Sequence, residues 1–77
     1  MTYHPLDTVV LVRDLPAYAL RKGDLGLVVH VYKPGGLEVE FVTASARTGA
    51  LGTLRTGDVR PVVDNDLVAV RPYSRSA

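Results

Sequence analysis

The stretch from Arg21 to Val42 constrains the fold of this chain more than any other. A glycine-rich turn at its start is followed by an apolar run, a second turn at Lys33-Pro34-Gly35-Gly36 and an alternating run from Leu37 to Val42. Proline presets φ in a turn, and glycine accepts the left-handed backbone angles that many turns require. Two extended runs joined by such a turn predict a β-hairpin.

The second strand of this hairpin indicates which of its faces is buried. Leu37, Val39 and Phe41 occupy every second position. Glu38 and Glu40 lie between them. A period of two residues is typical of an antiparallel strand that packs one face on a core. We therefore expect an apolar inner face and an acidic outer face.

The first strand of the hairpin, Leu27 to Tyr32, is apolar at nearly every position. We expect Leu27, Val29 and Val31 to face the core, because side chains alternate between the two faces of a strand. His30 then lies on the solvent-facing side, where the sequence supplies no partners for a metal-binding or acid–base role.

Three further runs rich in β-branched or small residues predict strands outside the hairpin. They are Val9 to Val12, Thr48 to Leu54 and Val59 to Val63. The two glycines of the middle run indicate a bend or a place where a neighbouring backbone, or a ligand, comes close, and the proline of the last run places that strand at an edge. Arg55 to Asp58 has the size and composition of a tight turn or a 3₁₀ turn. Residues 1–63 thus predict an all-β domain, a small barrel of five to six short antiparallel strands.

Residues 64–77 form a C-terminal extension. Asp64-Asn65-Asp66 ends the strand pattern, and Leu67 to Val70 is one more apolar run. This run either adds a sixth strand to an open edge or docks on a partner. We favour the sixth strand, because an uncovered edge strand promotes unwanted pairing with other chains. After it we expect a disordered tail.

Composition narrows the functional classes. The chain has 77 residues, no cysteine and a formal charge of +1. Disulfides and thiolate metal ligands are therefore absent, which fits a cytoplasmic protein. The apolar runs are far shorter than the roughly 18 residues that span a bilayer, so we expect no membrane association.

Candidates for catalysis are few. His4 and His30 are the only imidazoles, and the sequence contains no His-x-x-x-His or Gly-x-Ser-x-Gly motif. Such spacings place zinc ligands on one helix face or expose a serine nucleophile. We expect no enzyme activity, no cofactor and no metal site.

Three motifs follow one another along the chain: Asp14-Leu15-Pro16, Lys22-Gly23-Asp24-Leu25-Gly26 and Glu38-Val39-Glu40-Phe41. With them, the segment from Leu6 to Val63 resembles a family of small bacterial SH3-like proteins known only as a domain of unknown function. The resemblance implies an SH3-like barrel. Family members are often encoded beside a second small protein in what look like toxin–antitoxin or immunity pairs, which implies a protein partner from an adjacent gene. The chain departs from the family where Gly49 replaces the usual aromatic residue, and in its longer C-terminus.

The candidate binding surface follows partly from this resemblance. In SH3-like barrels the long loop after the first strand flanks a groove. Exposed tyrosines are favoured anchors for partners, because they offer a large area with little entropy to lose. The two glutamates of the hairpin offer an acidic surface to a basic partner. The candidate binding residues are Asp14, Leu15, Pro16, Tyr18, Tyr32, Glu38 and Glu40.

Two functions stay open at this point. The first is a non-catalytic protein-interaction module: the antitoxin, immunity or accessory member of a two-gene bacterial pair, or a small subunit of a larger complex. The second is a nucleic-acid-binding β-barrel, which the near-neutral charge disfavours. It would require six basic residues to gather on one face: Arg13, Arg21, Lys22, Arg47, Arg55 and Arg60.

Overall fold

A computed structural model describes residues 2–74. The strands are β1 (Thr8–Leu11), β2 (Leu25–Tyr32), β3 (Gly36–Val42), β4 (Thr48–Arg55) and β5 (Val59–Pro61), and two short 3₁₀ helices are η1 (Pro16–Tyr18) and η2 (Thr56–Asp58). Every strand pair is antiparallel, and one sheet contains all five strands in the order β4-β3-β2-β1-β5. The predicted all-β class and the predicted 3₁₀ turn before β5 are confirmed.

Within residues 2–74 the sheet is open, with β4 at one edge and β5 at the other. β5 ends at Pro61 and pairs only with β1, so the edge position that its proline predicted is confirmed. β1 pairs with both β2 and β5, which brings the last strand back beside the first. Because β4 and β5 do not pair, the predicted closure into a barrel is not seen in this part of the chain.

The inner face of β3 forms the centre of the core. Leu37 and Val39 are fully buried and Phe41 is 5% exposed. They pack with apolar side chains from the other strands, including Val9 of β1 and Leu54 of β4. The alternation that predicted this face is confirmed.

The inner face of β2 differs from the prediction because the strand contains a β-bulge. Val28 is fully buried, whereas Val29 is 39% exposed. The register with β3 shifts between Val28 and His30, so Val29 is an extra residue without an opposite residue in β3. Such a bulge reverses the alternation of side chains along a strand. Val31 therefore packs on the core and His30 is exposed, as predicted, but the inward placement of Leu27 and Val29 is wrong.

The predicted sixth strand is also wrong. Residues 62–74 contain no strand, and the side chains of Leu67 and Val70 are 96% and 94% exposed. The physical reason is a turn after β5. The carboxylate of Asp66 accepts hydrogen bonds from the amide of Val63 and the guanidinium of Arg60, which stabilises a turn directly after β5.

The predicted disordered tail falls partly on residues 75–77, which lie outside the described residues. In the described part, Arg71 and Tyr73 contact the folded domain. The N-terminal lead-in also contributes to the core, since Tyr3 is 8% exposed and its hydroxyl donates to the carbonyl oxygen of Val59 at 3.4 Å. Tyr3 near the start of the described range and Tyr73 near its end therefore both pack against the core.

Candidate functional site

The most elaborate side-chain contacts of the described residues hold Arg71-Pro72-Tyr73, here called the strap, against the sheet. The guanidinium of Arg71 donates to both carboxylate oxygens of Asp24, from Nε at 2.8 Å and from Nη2 at 2.6 Å. Nη2 also donates to the carbonyl oxygen of Ala19 at 3.1 Å. Two parallel hydrogen bonds between arginine and a carboxylate fix orientation as well as distance. The two ionic side chains are 28% and 17% exposed, so water screens the pair only partly.

Asp24 is held in place by the turn that leads into β2. Its carboxylate accepts a hydrogen bond from the amide of Arg21 at 2.8 Å, and its own amide donates to the carbonyl oxygen of Arg21 at 3.0 Å. Gly23 precedes it with a φ of 95°, a left-handed conformation that glycine adopts without steric cost. The turn therefore orients the carboxylate before the strap contacts it.

The same contacts change the pKa of both charged groups. Partial burial tends to raise the pKa of Asp24, but the hydrogen bonds from Arg71 and from the Arg21 amide outweigh it, and the pKa lies below the ordinary value. The hydrogen bond to Asp24 raises the pKa of Arg71. Both groups are therefore charged over the whole neutral pH range.

Tyr73 is the second anchor of the strap. Its hydroxyl donates to the carbonyl oxygen of Tyr18 at 2.7 Å, and its ring packs against the core cluster. The ring lies over Gly49, where a Cβ atom would be 3.2 Å from Cδ2 of Tyr73. Arg71 also lies 5.9 Å from the centre of this ring, a cation–π distance. An aromatic ring fits here because residue 49 has no side chain.

A second glycine of β4 has the same relation to another tyrosine. A Cβ atom at Gly52 would be 3.1 Å from Cζ of Tyr18. Tyr18 thus packs on the inner face of the sheet, where Gly52 is paired with the buried Val39. The glycines of β4 predicted a bend or a close approach by a neighbouring backbone or a ligand, whereas the nearest atom at both positions belongs to a tyrosine side chain of this chain.

A groove of about 560 Å³ lies between the strap and the sheet. The end of β3 and the loop after it form one wall, and residues 69–73 form the other. Besides the strap, residues that line this strap groove are Leu20, Asp24, Phe41, Val42, Thr43 and Gly49. The groove is therefore mostly apolar, with one carboxylate at its rim.

None of the loop residues predicted to bind a partner lines this groove, and their roles differ. Asp14 is exposed and accepts a hydrogen bond from the amide of Lys22 at 2.8 Å, which ties the two ends of the loop together. Leu15 packs on the core and its backbone pairs with Leu20. Pro16 is exposed at the start of η1. Of the four predicted loop residues, Tyr18 contacts the strap directly.

The other predicted binding residues lie on the opposite face of the sheet. Glu38 accepts hydrogen bonds from the hydroxyls of Thr53 at 2.7 Å and Tyr32 at 3.4 Å. Glu40 accepts one from the hydroxyl of Thr48. The ring of Tyr32 packs edge-on against that of His30, with centroids 4.5 Å apart. The structure thus brings together Tyr32 and Glu38 but separates this outer face from the loop.

A second groove, of about 860 Å³, lies at the other end of the β3–β4 hairpin. Arg13, Lys33 and Arg55 line it, together with Asp58. Arg13 forms an ion pair of 2.8 Å with Asp58. Asp58 is 7% exposed, and its carboxylate also accepts a hydrogen bond from the backbone amide of Arg55 at 3.0 Å. This arrangement stabilises η2 and leaves a locally basic rim.

Residues 2–74 contain no group of three or more His, Cys, Asp or Glu side chains that could hold a metal ion. No helix of this region is long and apolar enough to cross a membrane.

Sequence reasoning missed the partners that build the strap groove. Asp24 was interpreted only as part of a turn, and Arg71 and Tyr73 as part of a disordered tail. One local signal was present: Gly49 has no side chain, and the ring of Tyr73 lies over that position.

A model for the family DUF4926, described as a domain of unknown function, matches residues 6–61. This match excludes the strap, which lies ten residues beyond its end. No curated protein and no solved structure matches the chain.

Proposed function

Because the chain belongs to the DUF4926 family, whose function is unknown, we infer its function from the strap groove: we propose a non-catalytic protein-interaction module that binds an extended segment of another protein. The observation that supports this proposal is the strap itself, a segment without helix or strand that docks beside η1 through two side chains. Interaction modules commonly recognise peptides in this way, with a few anchored side chains.

The finer parts of the proposal concern fold and biological setting. We propose an SH3-like domain, supported by five antiparallel strands in which β5 returns to β1 and a 3₁₀ helix precedes β5. We also propose that the partner is the product of an adjacent gene, with this chain as the antitoxin, immunity or accessory member of the pair or as a small subunit of a larger complex. A cytoplasmic setting belongs to the same proposal and is supported by the lack of cysteine.

The proposal is tested by mixing the full chain, labelled with ¹⁵N, with the purified product of the adjacent gene. We expect saturable binding and amide shift changes that concentrate at Ala19, Asp24 and Gly49. In a chain that carries Arg71→Ala and Tyr73→Ala, so that the strap does not itself occupy Asp24, Asp24→Asn is expected to weaken binding at least about ten-fold, since an ionic hydrogen bond is lost. Asp64→Asn, a matched charge change at an exposed position, is the control. Absence of binding, or shift changes confined to the outer face at Glu38, would overturn the proposal.

A second function, nucleic-acid binding, is favoured by one observation: Arg13, Lys33 and Arg55 gather at the second groove. Phosphate binding releases counterions, so the affinity of such a site falls steeply with salt. A titration of single-stranded DNA and RNA oligonucleotides at increasing salt, with Lys33→Ala combined with Arg55→Ala as the variant, tests it. Lack of binding at low salt would rule it out.

A further inference from the structure

We propose that the strap groove recognises an extended segment in which an arginine is followed two residues later by an aromatic residue, and that the strap competes for this site as an intramolecular mimic. The inference rests on the proposed function and deepens it, because it specifies the ligand chemistry and a form of regulation. Three features support it: the two side chains that anchor the strap, the exposed segment that connects the strap to β5, and the open space beside the strap.

The anchors define the ligand chemistry. Outside the strap, the described residues present three hydrogen-bond acceptors to Arg71: both oxygens of Asp24 and the carbonyl oxygen of Ala19. A guanidinium, with its fork of N–H donors, fits this set better than an ammonium, which lacks the planar geometry. Around Tyr73 the domain presents a flat apolar surface at Gly49 and the carbonyl oxygen of Tyr18. An aromatic ring with a hydroxyl satisfies both.

The residue between the anchors is free to vary. Pro72 is exposed, and its carbonyl oxygen accepts a hydrogen bond from Nη1 of Arg71 within the strap itself at 3.1 Å. The backbone of any residue supplies that carbonyl. The recognised pattern is therefore arginine, any residue, aromatic residue.

The segment that connects β5 to the strap allows the strap to leave the groove without disturbing the sheet. Leu67, Val68 and Val70, which precede it, are 96%, 71% and 94% exposed. The backbone turn from Val63 to Asp66 lies between these residues and β5. Withdrawal of Arg71 and Tyr73 therefore breaks no strand pairing, and the five-stranded sheet stays intact.

The space beside the strap admits a longer ligand. The groove of about 560 Å³ between residues 69–73 and the sheet is lined by Phe41 and Val42. A partner segment that contacts these apolar walls as well as the two anchor sites gains an interaction that the strap does not make. Such a gain is required, because a tethered competitor acts at a local concentration of the order of millimolar.

The test uses full-length variants and one probe. The probe is a fluorescent peptide with the sequence of residues 68–74, blocked at both ends, and its binding is measured by fluorescence polarisation. The released variant carries Arg71→Ala and Tyr73→Ala, so neither strap side chain fills its anchor site. We expect this variant to bind the peptide at least about ten-fold more tightly than the unchanged chain, because the tethered competitor is gone.

Further variants assign the two anchor sites. Asp24→Asn in the released variant is expected to weaken peptide binding at least about ten-fold, and Gly49→Val is expected to do the same because its side chain occupies the position of the aromatic ring. Asp64→Asn in the released variant is the matched control and is expected to leave binding unchanged. A peptide with lysine in place of arginine is expected to bind about ten-fold more weakly. Heteronuclear NMR spectra establish that each variant is folded.

Three results would overturn the inference. Equal peptide affinity in the released and unchanged chains would exclude competition by the strap. Absence of peptide binding to the folded released variant would exclude the ligand pattern, whereas binding of the adjacent gene product at Asp24 would still uphold the proposed function. A concentration-dependent dimer of the unchanged chain that is absent in the released variant would show that the strap occupies the groove of a second copy.

Discussion

Gly26 of β2 lies so close to Phe41 of β3 that a Cβ atom in its place would be 2.9 Å from Cε2 of the aromatic ring. The same Cβ atom would be 2.5 Å from Cγ1 of Val39. Both neighbours are buried, so neither side chain has open space in which to move. The glycine is required here because the core fills the volume that any other side chain would occupy.

Gly26→Ala is expected to lower the free energy of unfolding by about 1–3 kcal/mol, the usual cost of forcing extra volume into a packed core. Chemical denaturation of the purified variant measures it. Gly57→Ala is the matched control, because no atom lies within 4 Å of a Cβ at that position and its φ lies outside the left-handed range. An equal effect of the two changes would contradict the packing argument.

Phe41→Ala is expected to cost about 3–5 kcal/mol, since it leaves a cavity at the centre of the core. Natural domains have total stabilities of about 5–15 kcal/mol, so the variant is expected to be largely unfolded or close to it. Circular dichroism during thermal unfolding provides the measurement. Leu51→Ala, on the outer face and 51% exposed, is expected to change stability by at most about 0.5 kcal/mol. A near-wild-type melting temperature for Phe41→Ala would mean that the inner face of β3 is wrongly assigned.

The contrast between β3 and β2 shows which part of the fold is readable from sequence. In β3 the alternation of apolar and acidic residues is local, and it identified Leu37, Val39 and Phe41 as inward-facing. In β2 the extra residue of the bulge, Val29, is as apolar as its neighbours, so the sequence does not mark the bulge. A bulge depends on how two strands pair, so the inward placement of Val29 was wrong even though the strand itself was predicted.

The strap groove depends on long-range contacts that have weak local signatures. Asp24 and Arg71 are separated by 47 residues, and Tyr18 and Tyr73 by 55. Each of these residues has an ordinary local interpretation, as part of a turn, a loop or a tail. The glycines of β4 signalled that some group approaches, but only the folded chain shows that the groups are Tyr18 and Tyr73.

Acid is expected to release the strap from Asp24. The pKa of Asp24 in the folded chain lies below 3.8, its ordinary value, so its contribution to stability is fully present above pH 3.8 and is lost as pH falls through the folded pKa. The amide signals of Ala19 and Gly49, followed by NMR from pH 7 downwards, are expected to shift in that acidic range. In Asp24→Asn this transition is expected to be absent. A midpoint above pH 3.8 would contradict the sign of the pKa shift.

The turn after β5 provides a separate pH prediction at an exposed site. The hydrogen bonds from the Arg60 guanidinium and the Val63 amide lower the pKa of Asp66 to about 2. The titration of its carboxyl carbon, followed by ¹³C NMR, is expected to have its midpoint near that value. Arg60→Ala removes the larger of the two causes, so the midpoint is expected to rise towards the ordinary 3.8. Arg13→Ala, which removes the cation that pairs with Asp58, is the control and is expected to leave the Asp66 midpoint unchanged. If Arg60→Ala also left the midpoint unchanged, Arg60 would not be the partner that holds the turn, and the reason given for the missing sixth strand would fail with it.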